Sequence, residues 1–344
     1  MKKPFQKALV FSGGGTRFAL YGGIYQALDQ SGLKPDILIA SCGGALSATL
    51  INAFSTHEQR LAYLCSDVFY HFIKQTTLTP YRKLSKIGCL AFKKKYNQKR
   101  APVVEDVFSR YLIDMPQDLS LYLPQLDIDF SQNIPTVIVG AKMLFFPEEC
   151  SQNRKDRKLY QKILLTDTET AKHINLGNIK ITSDNYKNSA VHDDTLLRTD
   201  ISMLDAVRIS ISDMFYMAPF FNGKHYFSGG AVDLVPVELA TVLSKTIFAE
   251  KKQFYSTTEE AFVLAVLGFS GNKRLEEVSK FKIDTWIDTQ DASVALNGHY
   301  CQKFINWKKM EVGIKFSKTQ EQFKDDIQKQ WDYGYKKTLK SIGL

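Results

Sequence analysis

The chain has no apolar run of the roughly 18 residues that a membrane-spanning helix needs. Its longest, Ala261–Phe269 and Ile134–Phe146, are short or interrupted by Pro135, Gly140 and Lys142. It has no C-x-x-C pair either. The five cysteines, Cys42, Cys65, Cys89, Cys150 and Cys301, are irregularly spaced, which suits neither a disulfide framework nor a zinc site and fits a reducing compartment. Glycine (20) and proline (10) are too sparse among 344 residues for a fibrous or low-complexity chain. There is no G-K-[ST], and a G-x-G-x-x-G reading fails because Phe18 stands at its last position, so nucleotide binding is set aside. Met1-Lys2-Lys3 has the charge of a signal-peptide start, but only Ala8–Phe11 is apolar before glycines intervene. The expectation is a cytoplasmic protein that reaches membranes only peripherally.

With 44% hydrophobic and 24% charged residues the chain can bury a sizeable core. Lys7–Phe11 reads as a strand, Ser12–Gly15 as a glycine loop, and the stretch to Gly32 as a helix. A second unit follows: strand Asp36–Ile39, turn Ala40–Gly44, helix Ala45–Phe54. Two strand-turn-helix units predict an α/β fold on a parallel sheet. Further strands are expected at Thr136–Ala141, Asn178–Thr182, Thr246–Ala249 and Ala261–Leu267. The polar stretches Pro147–Tyr160 and Asp167–Asp200 read as surface loops. Phe323, Ile327, Trp331, Tyr335 and Leu339 recur every four residues, which predicts a helix over Thr319–Ser341. No boundary is forced, so residues 1–344 are expected to form one domain, with core motifs over 7–247 and a C-terminal strand and helix (260–342) packed on it.

Both turns carry chemistry. Ser12-Gly13-Gly14-Gly15-Thr16-Arg17 lies where unpaired helix N–H groups converge, a place for an anion or an oxyanion. Ala40-Ser41-Cys42-Gly43-Gly44 is a strand-to-helix elbow of the kind that exposes a nucleophile between small residues. With Ser41 as nucleophile the flanks are Ile39 and Gly43, and the β-branched residue fits poorly. With Cys42 they are Ala40 and Gly44, both small, so Cys42 is the better register.

Together these turns resemble the patatin-like phospholipase family. Its pattern is G-G-G-x-R/K-G, then a strand near P-D, then G-x-S-x-G-A-L; the chain has S-G-G-G-T-R-F, P-D-I-L-I and A-S-C-G-G-A-L. The family's D-G-G/A element is matched by Ser228-Gly229-Gly230, and Arg208-Ile209-Ser210 with Pro219 echoes its R-A-S…P segment. The resemblance implies a three-layer α/β/α fold with a mainly parallel central sheet. It also implies fatty-acyl lipids such as phospholipids as substrates or partners, no cofactor and no metal. In the family a serine is the nucleophile and an aspartate its base. The matching positions are Cys42 and Ser228, while the oxyanion donors are retained at Gly14 and Gly15 with Arg17 nearby.

The loss of both reacting side chains leaves two readings. The first is a lipid-binding protein of lipid metabolism whose hydrolysis is impaired or lost. The second is an acyl hydrolase or acyltransferase in which Cys42, its thiol acidified at a helix N-terminus, attacks an ester. A substitute base is then required, and His225 and Asp233 are the candidates. Arg208 reads as a structural ion-pair partner, and His192-Asp193-Asp194 as a solvated loop rather than a metal site.

The net charge of +9 is concentrated. Between His71 and Arg110 lie ten lysines and arginines, among them Lys93, Lys94, Lys95, Lys99 and Arg100, against two acids, Glu105 and Asp106. Tyr81, Leu90, Phe92 and Tyr96 interleave with them. No nucleic-acid-binding motif accompanies the charge, and an anionic membrane surface is the expected partner.

Overall fold

A computed structural model describes residues 3–13, 15–96, 103–130, 133–179 and 183–344. Successive residues of a strand face opposite sides of a sheet, and the first strand, β1 (Phe5–Phe11), shows the consequence. Leu9 and Phe11 enter one apolar cluster, Ala8 and Val10 another. The same division holds along β2 (Ile37–Ser41), where Leu38 and Ala40 face the first cluster and Ile37 and Ile39 the second. A sheet buried on both faces must be covered by helices on both, which gives three layers.

The first face is covered by α1 (Ala19–Gln30), α2 (Gly43–Ala53), helix Met203–Ile211 and the terminal helix Gln320–Ser341. The second is covered by helices Val237–Leu243, Thr257–Leu267 and Gly271–Ser279. The sheet runs in the order Thr285–Asp288, Ser244–Lys251, β1, β2, Thr136–Met143, Tyr160–Leu165, Leu196–Arg198. The first five strands are mutually parallel; Tyr160–Leu165 turns antiparallel to Thr136–Met143. A short strand, Tyr226–Ser228, also pairs antiparallel with Thr136–Met143 and sets Ser228 opposite Ala141. Both glycine-bearing turns therefore leave the carboxyl ends of adjacent central strands, where open α/β sheets place their sites.

The terminal helix lies on α1, tied by Trp331 Nε1 to Gln26 Oε1 (2.6 Å) and by Tyr335 OH to Gln30 Oε1 (2.9 Å). Ala261–Leu267 is helical, not a strand. Ser256 forms a capping box with Glu259, and Gly268 ends the helix at φ +75°, so the caps override an apolar run that lacks clear periodicity. Asn178 closes a short 3-10 turn, Leu176–Asn178, and residues 180–182 lie outside the described ones. The polar stretch Asp167–Asp200 holds a strand segment, Leu196–Arg198, at the sheet's far edge, and a further strand, Tyr160–Leu165, lies between the two polar stretches.

The basic segment enters a helix, Leu84–Tyr96. Lys93, Lys94 and Lys95 lie in its last turns with side chains outside the described residues, and Lys99 and Arg100 lie outside them altogether. No helix among the described residues is long and apolar enough to cross a membrane.

Candidate active site

β2 ends at Ser41, which is fully buried and donates its hydroxyl to the Leu234 carbonyl at 2.6 Å. Cys42 follows as the N-cap of α2 with φ +49° and ψ −125°. A positive φ on a non-glycine residue costs of order 1–3 kcal/mol and persists only where the surroundings enforce it. Ser210 is part of that enforcement, because its Oγ accepts the Cys42 N–H at 2.7 Å and donates to the Val139 carbonyl at 2.6 Å.

The glycine loop packs directly on the elbow. Gly15 holds φ +59°, and a β-carbon on Gly43 would come within 2.7 Å of the Gly15 carbonyl oxygen, so only glycine lets the two backbones meet. The loop's entry is fixed by a buried carboxylate. Glu250 accepts hydrogen bonds from Ser12 Oγ and from Tyr21 OH (2.9 Å), and Tyr21 OH also lies 2.5 Å from the Ser12 carbonyl. Its exit is held by Thr16 Oγ1, which donates to the Cys301 carbonyl at 2.8 Å, while the Arg17 guanidinium lies over the Tyr300 ring. Gly14, the other expected oxyanion donor, lies outside the described residues.

The acid beside Cys42 is Asp213. It sits in the turn after helix Met203–Ile211, where Oδ1 accepts the Ala231 N–H at 3.1 Å and the carboxylate acts electrostatically on the Cys42 thiol. Arg208, entirely buried, braces this turn: Nε donates to the Pro116 carbonyl (2.8 Å), Nη2 to the Ala218 carbonyl (3.2 Å), and Nη1 to Ser212 Oγ. Its bonds go to backbone and a hydroxyl, so the residue is structural as expected, though not as an ion-pair partner.

Burial raises the Asp213 carboxyl to about 6, against the lowering effect of the Ala231 N–H and the Cys42 thiol. Burial, followed by the Asp213 charge, pushes the Cys42 thiol well above its ordinary value. This corrects the expectation of an acidified thiol: desolvation beside a carboxylate outweighs the Gly43 N–H at the start of α2.

Ser228, the family's aspartate position, is buried and donates Oγ to the Ser212 carbonyl at 3.1 Å. Neither expected substitute base belongs to the elbow. His225 lies in the turn between Phe221 and Tyr226, its pKa lowered by desolvation and by Lys142, Lys224 and Arg198. Asp233 is committed elsewhere, with Oδ2 3.1 Å from Lys162 Nζ and Oδ1 3.0 Å from Arg274 Nη2. Arg274 also pairs with Glu238 at 2.6 Å. Arg208-Ile209-Ser210, the segment that resembles the family's R-A-S…P stretch, ends three residues short of Asp213, and that proximity is the one signal the chain offers for it.

Beyond the Asp213 turn, Phe215 and Tyr216 line a cavity of about 700 Å³ together with Tyr81, Ile87, Phe262 and Phe304. Its walls are mostly apolar, as a hydrocarbon chain requires. Among the described residues, His299, Asp325 and Asp326 cluster closely enough for a metal ion. Their charge is already met internally: Lys329 Nζ lies 2.7 Å from Asp325, and His299 Nδ1 and Ser317 Oγ lie 2.7 and 2.6 Å from Asp326.

No curated protein matches the sequence. Among solved structures, VipD from Legionella pneumophila matches with 11% identity and a TM-score of 0.35, over 98% of this chain and 67% of its own. Residues 9–241 match the family model described as patatin-like phospholipase, a stretch that contains the glycine loop, the elbow and Asp213. The mixed α/β architecture with its mostly parallel sheet is the one the resemblance implied, and the chain belongs to the patatin-like phospholipase family.

Proposed function

We propose that the chain hydrolyses fatty-acyl esters of lipids, with Cys42 as nucleophile and Asp213 as general base. The observation that carries this reading is the placement of the Asp213 carboxylate at the strand-to-helix elbow: its Oδ1 accepts the Ala231 N–H, a β-carbon on the neighbouring Gly230 would lie 3.3 Å from the Cys42 nitrogen, and the carboxylate and the Cys42 thiol act electrostatically on each other. It supplies the carboxylate that the substitution at Ser228 removes.

Cys42 Sγ attacks the ester carbonyl carbon while its proton passes to Asp213. The carbonyl electron pair moves onto oxygen, beside backbone N–H groups of the glycine loop and the start of α2. Collapse of this oxyanion expels the alcohol, which takes the proton from Asp213, and leaves a thioester on Cys42. Water then gives a proton to Asp213 and attacks the thioester; the fatty acid departs and the thiolate recovers the proton. The thiol is not preionised, so proton removal accompanies attack, and a positioned general base contributes about 10²- to 10⁴-fold. A backbone oxyanion donor contributes about 10²- to 10³-fold more.

A second reading, a lipid-binding protein without turnover, is favoured by one observation: burial keeps the thiol neutral. The two separate on a single test with mixed phospholipid vesicles and an activated acyl ester. A thioester on Cys42 that is absent in Cys42→Ala, with free fatty acid released, supports the hydrolase. Vesicle binding with neither supports the second reading. Peripheral attachment to anionic membranes is assigned to the basic stretch around Lys93, Lys94, Lys95, Lys99 and Arg100, on its charge and interleaved aromatics.

A further inference from the structure

Exposed apolar side chains scattered singly need no explanation, but a contiguous group of them marks a surface that meets something. Among the described residues, Tyr81, Phe304, Ile305, Trp307 and Met310 are large, apolar and exposed, and all five belong to one feature. It is a hairpin apart from the main sheet, strands Gln302–Asn306 and Glu311–Lys315, with Trp307-Lys308-Lys309-Met310 as its tip and the turn Pro80–Arg82 beside it. Trp307 is 69% exposed and Met310 54%, and the two lysines between them are exposed as well.

The tip is fixed to the start of helix Leu84–Tyr96. The Leu84 N–H donates to the Met310 carbonyl at 2.8 Å, Lys83 pairs with Glu311 in an antiparallel bridge, and Arg82 Nε lies 3.1 Å from Glu311 Oε2. Within the turn, Asn306 Oδ1 accepts the Lys309 N–H at 3.2 Å. Lower on the hairpin, Lys303 lies over the ring of Tyr216, three residues beyond Asp213. Phe304 and Ile305 line the cavity that reaches Phe215 and Tyr216, yet they stay 46% and 45% exposed, so they form its rim. One short hairpin therefore joins an exposed indole to the mouth of the apolar cavity.

The composition of the patch identifies what it fits. Residues 81–86 and 302–315 carry seven lysines and arginines against one acid, Glu311, and Arg82 already pairs with that acid. An indole and a thioether set among lysines match the boundary of an anionic bilayer, where tryptophan rings sit at headgroup level and lysines meet the negative surface. A lipid chain leaving that bilayer needs an apolar path, and Tyr81, Phe304 and Ile305 provide one into the cavity.

We propose that the hairpin tip Trp307–Met310 inserts into the surface of an anionic bilayer and seats the cavity mouth on it. This rests on the reading of the chain as a protein of lipid surfaces, adds a contact separate from the basic stretch around Lys93, and does not depend on turnover at Cys42.

Tryptophan emission reports the contact directly, because Trp331 is buried and Trp286 half-buried. The full chain, titrated with phosphatidylcholine vesicles containing phosphatidylglycerol, should show blue-shifted emission and quenching by brominated phosphatidylcholine; Trp307→Phe should show neither. In sedimentation with the same vesicles, Trp307→Ala should bind at least about tenfold more weakly. Lys308→Gln combined with Lys309→Gln should bind about thirtyfold more weakly, the surface attraction of two lysines. Binding that falls on replacing Lys93, Lys94 and Lys95 but is indifferent to Trp307, Lys308 and Lys309 overturns the hairpin and keeps the basic stretch. No binding of the unmodified protein overturns both. A dimer in solution that Trp307→Ala dissolves, with no quenching on vesicles, gives the patch to a second copy and overturns the proposal. Quenching that requires Trp307, beside a Cys42 that 4-nitrophenyl butyrate does not acylate, removes the hydrolase and supports the hairpin.

Discussion

The Asp213 carboxylate fills the space that a side chain on Gly229 would need: a β-carbon built on Gly229 would overlap Oδ1. In the family pattern the acid immediately precedes this glycine. Here Ser228 stands there and turns its hydroxyl to the Ser212 carbonyl, while the acid arrives from the next residue of that other turn. The carboxylate has in effect moved from one neighbouring segment to the other.

Gly229→Ala should therefore displace Asp213 while both reacting residues keep their identity. Acylation of Cys42 should slow at least about tenfold, and overpacking should cost about 1–3 kcal/mol. Single-turnover acylation beside a urea titration checks both. Wild-type acylation in a folded Gly229→Ala protein would separate Asp213 from the chemistry.

The raised Asp213 carboxyl has a stability signature opposite to that of a salt-bridged aspartate. An unfolded aspartate titrates near 3.9, the folded Asp213 near 6. Between these values the folded chain binds the proton more readily, so this group stabilises the fold at low pH and the contribution is lost as pH rises through about 4 to 6. Compared with its value at pH 4, the stability of Asp213→Asn relative to the unmodified protein should grow by up to about 3 kcal/mol at pH 7. Denaturant titrations at the two pH values measure it, and a gap that does not change with pH contradicts the raised carboxyl.

Asp233 predicts the reverse. Lys162 and Arg274 hold its carboxyl below the usual range despite burial, so its contribution is present above about pH 4 and lost as pH falls further. Asp233→Asn leaves two buried cations short of a partner and should cost about 3–5 kcal/mol. Any Cys42 acylation by the folded fraction should survive. Loss of acylation without loss of stability would return Asp233 to the site.

Much of this was legible in local sequence. The elbow and glycine loop could be read because their chemistry is set by neighbours in the chain: Ser12 to Arg17 and Ala40 to Gly44 are each contiguous, and the choice of Cys42 over Ser41 followed from the size of the flanking residues alone. Asp213 was not legible. Its partnership with Cys42 depends on how Arg208 and Ser210 hold one turn against the sheet, and no spacing along the chain encodes that. The helix Thr257–Leu267 was misread because an apolar run buried on several sides shows no period; Ser256, Glu259 and Gly268 carried the answer as caps. The thiol's raised pKa was missed for the same reason as Asp213, since desolvation is a tertiary property.

Membrane attachment is a separate claim with a separate check. Replacing Lys93, Lys94 and Lys95 with glutamine should weaken sedimentation with anionic vesicles, at about 1 kcal/mol per residue, while leaving Cys42 acylation by a soluble ester unchanged. Unaltered sedimentation removes the assignment of the surface to this helix.

The central claim is that Asp213 serves Cys42 as its base. The most direct measurement is single-turnover formation of the Cys42 thioester from 4-nitrophenyl butyrate at pH 7.5, compared between the unmodified protein and Asp213→Asn. The account predicts a thioester in the former and a rate lower by about 10²- to 10⁴-fold in the latter. Equal rates in the two proteins, or no thioester in either, contradict it.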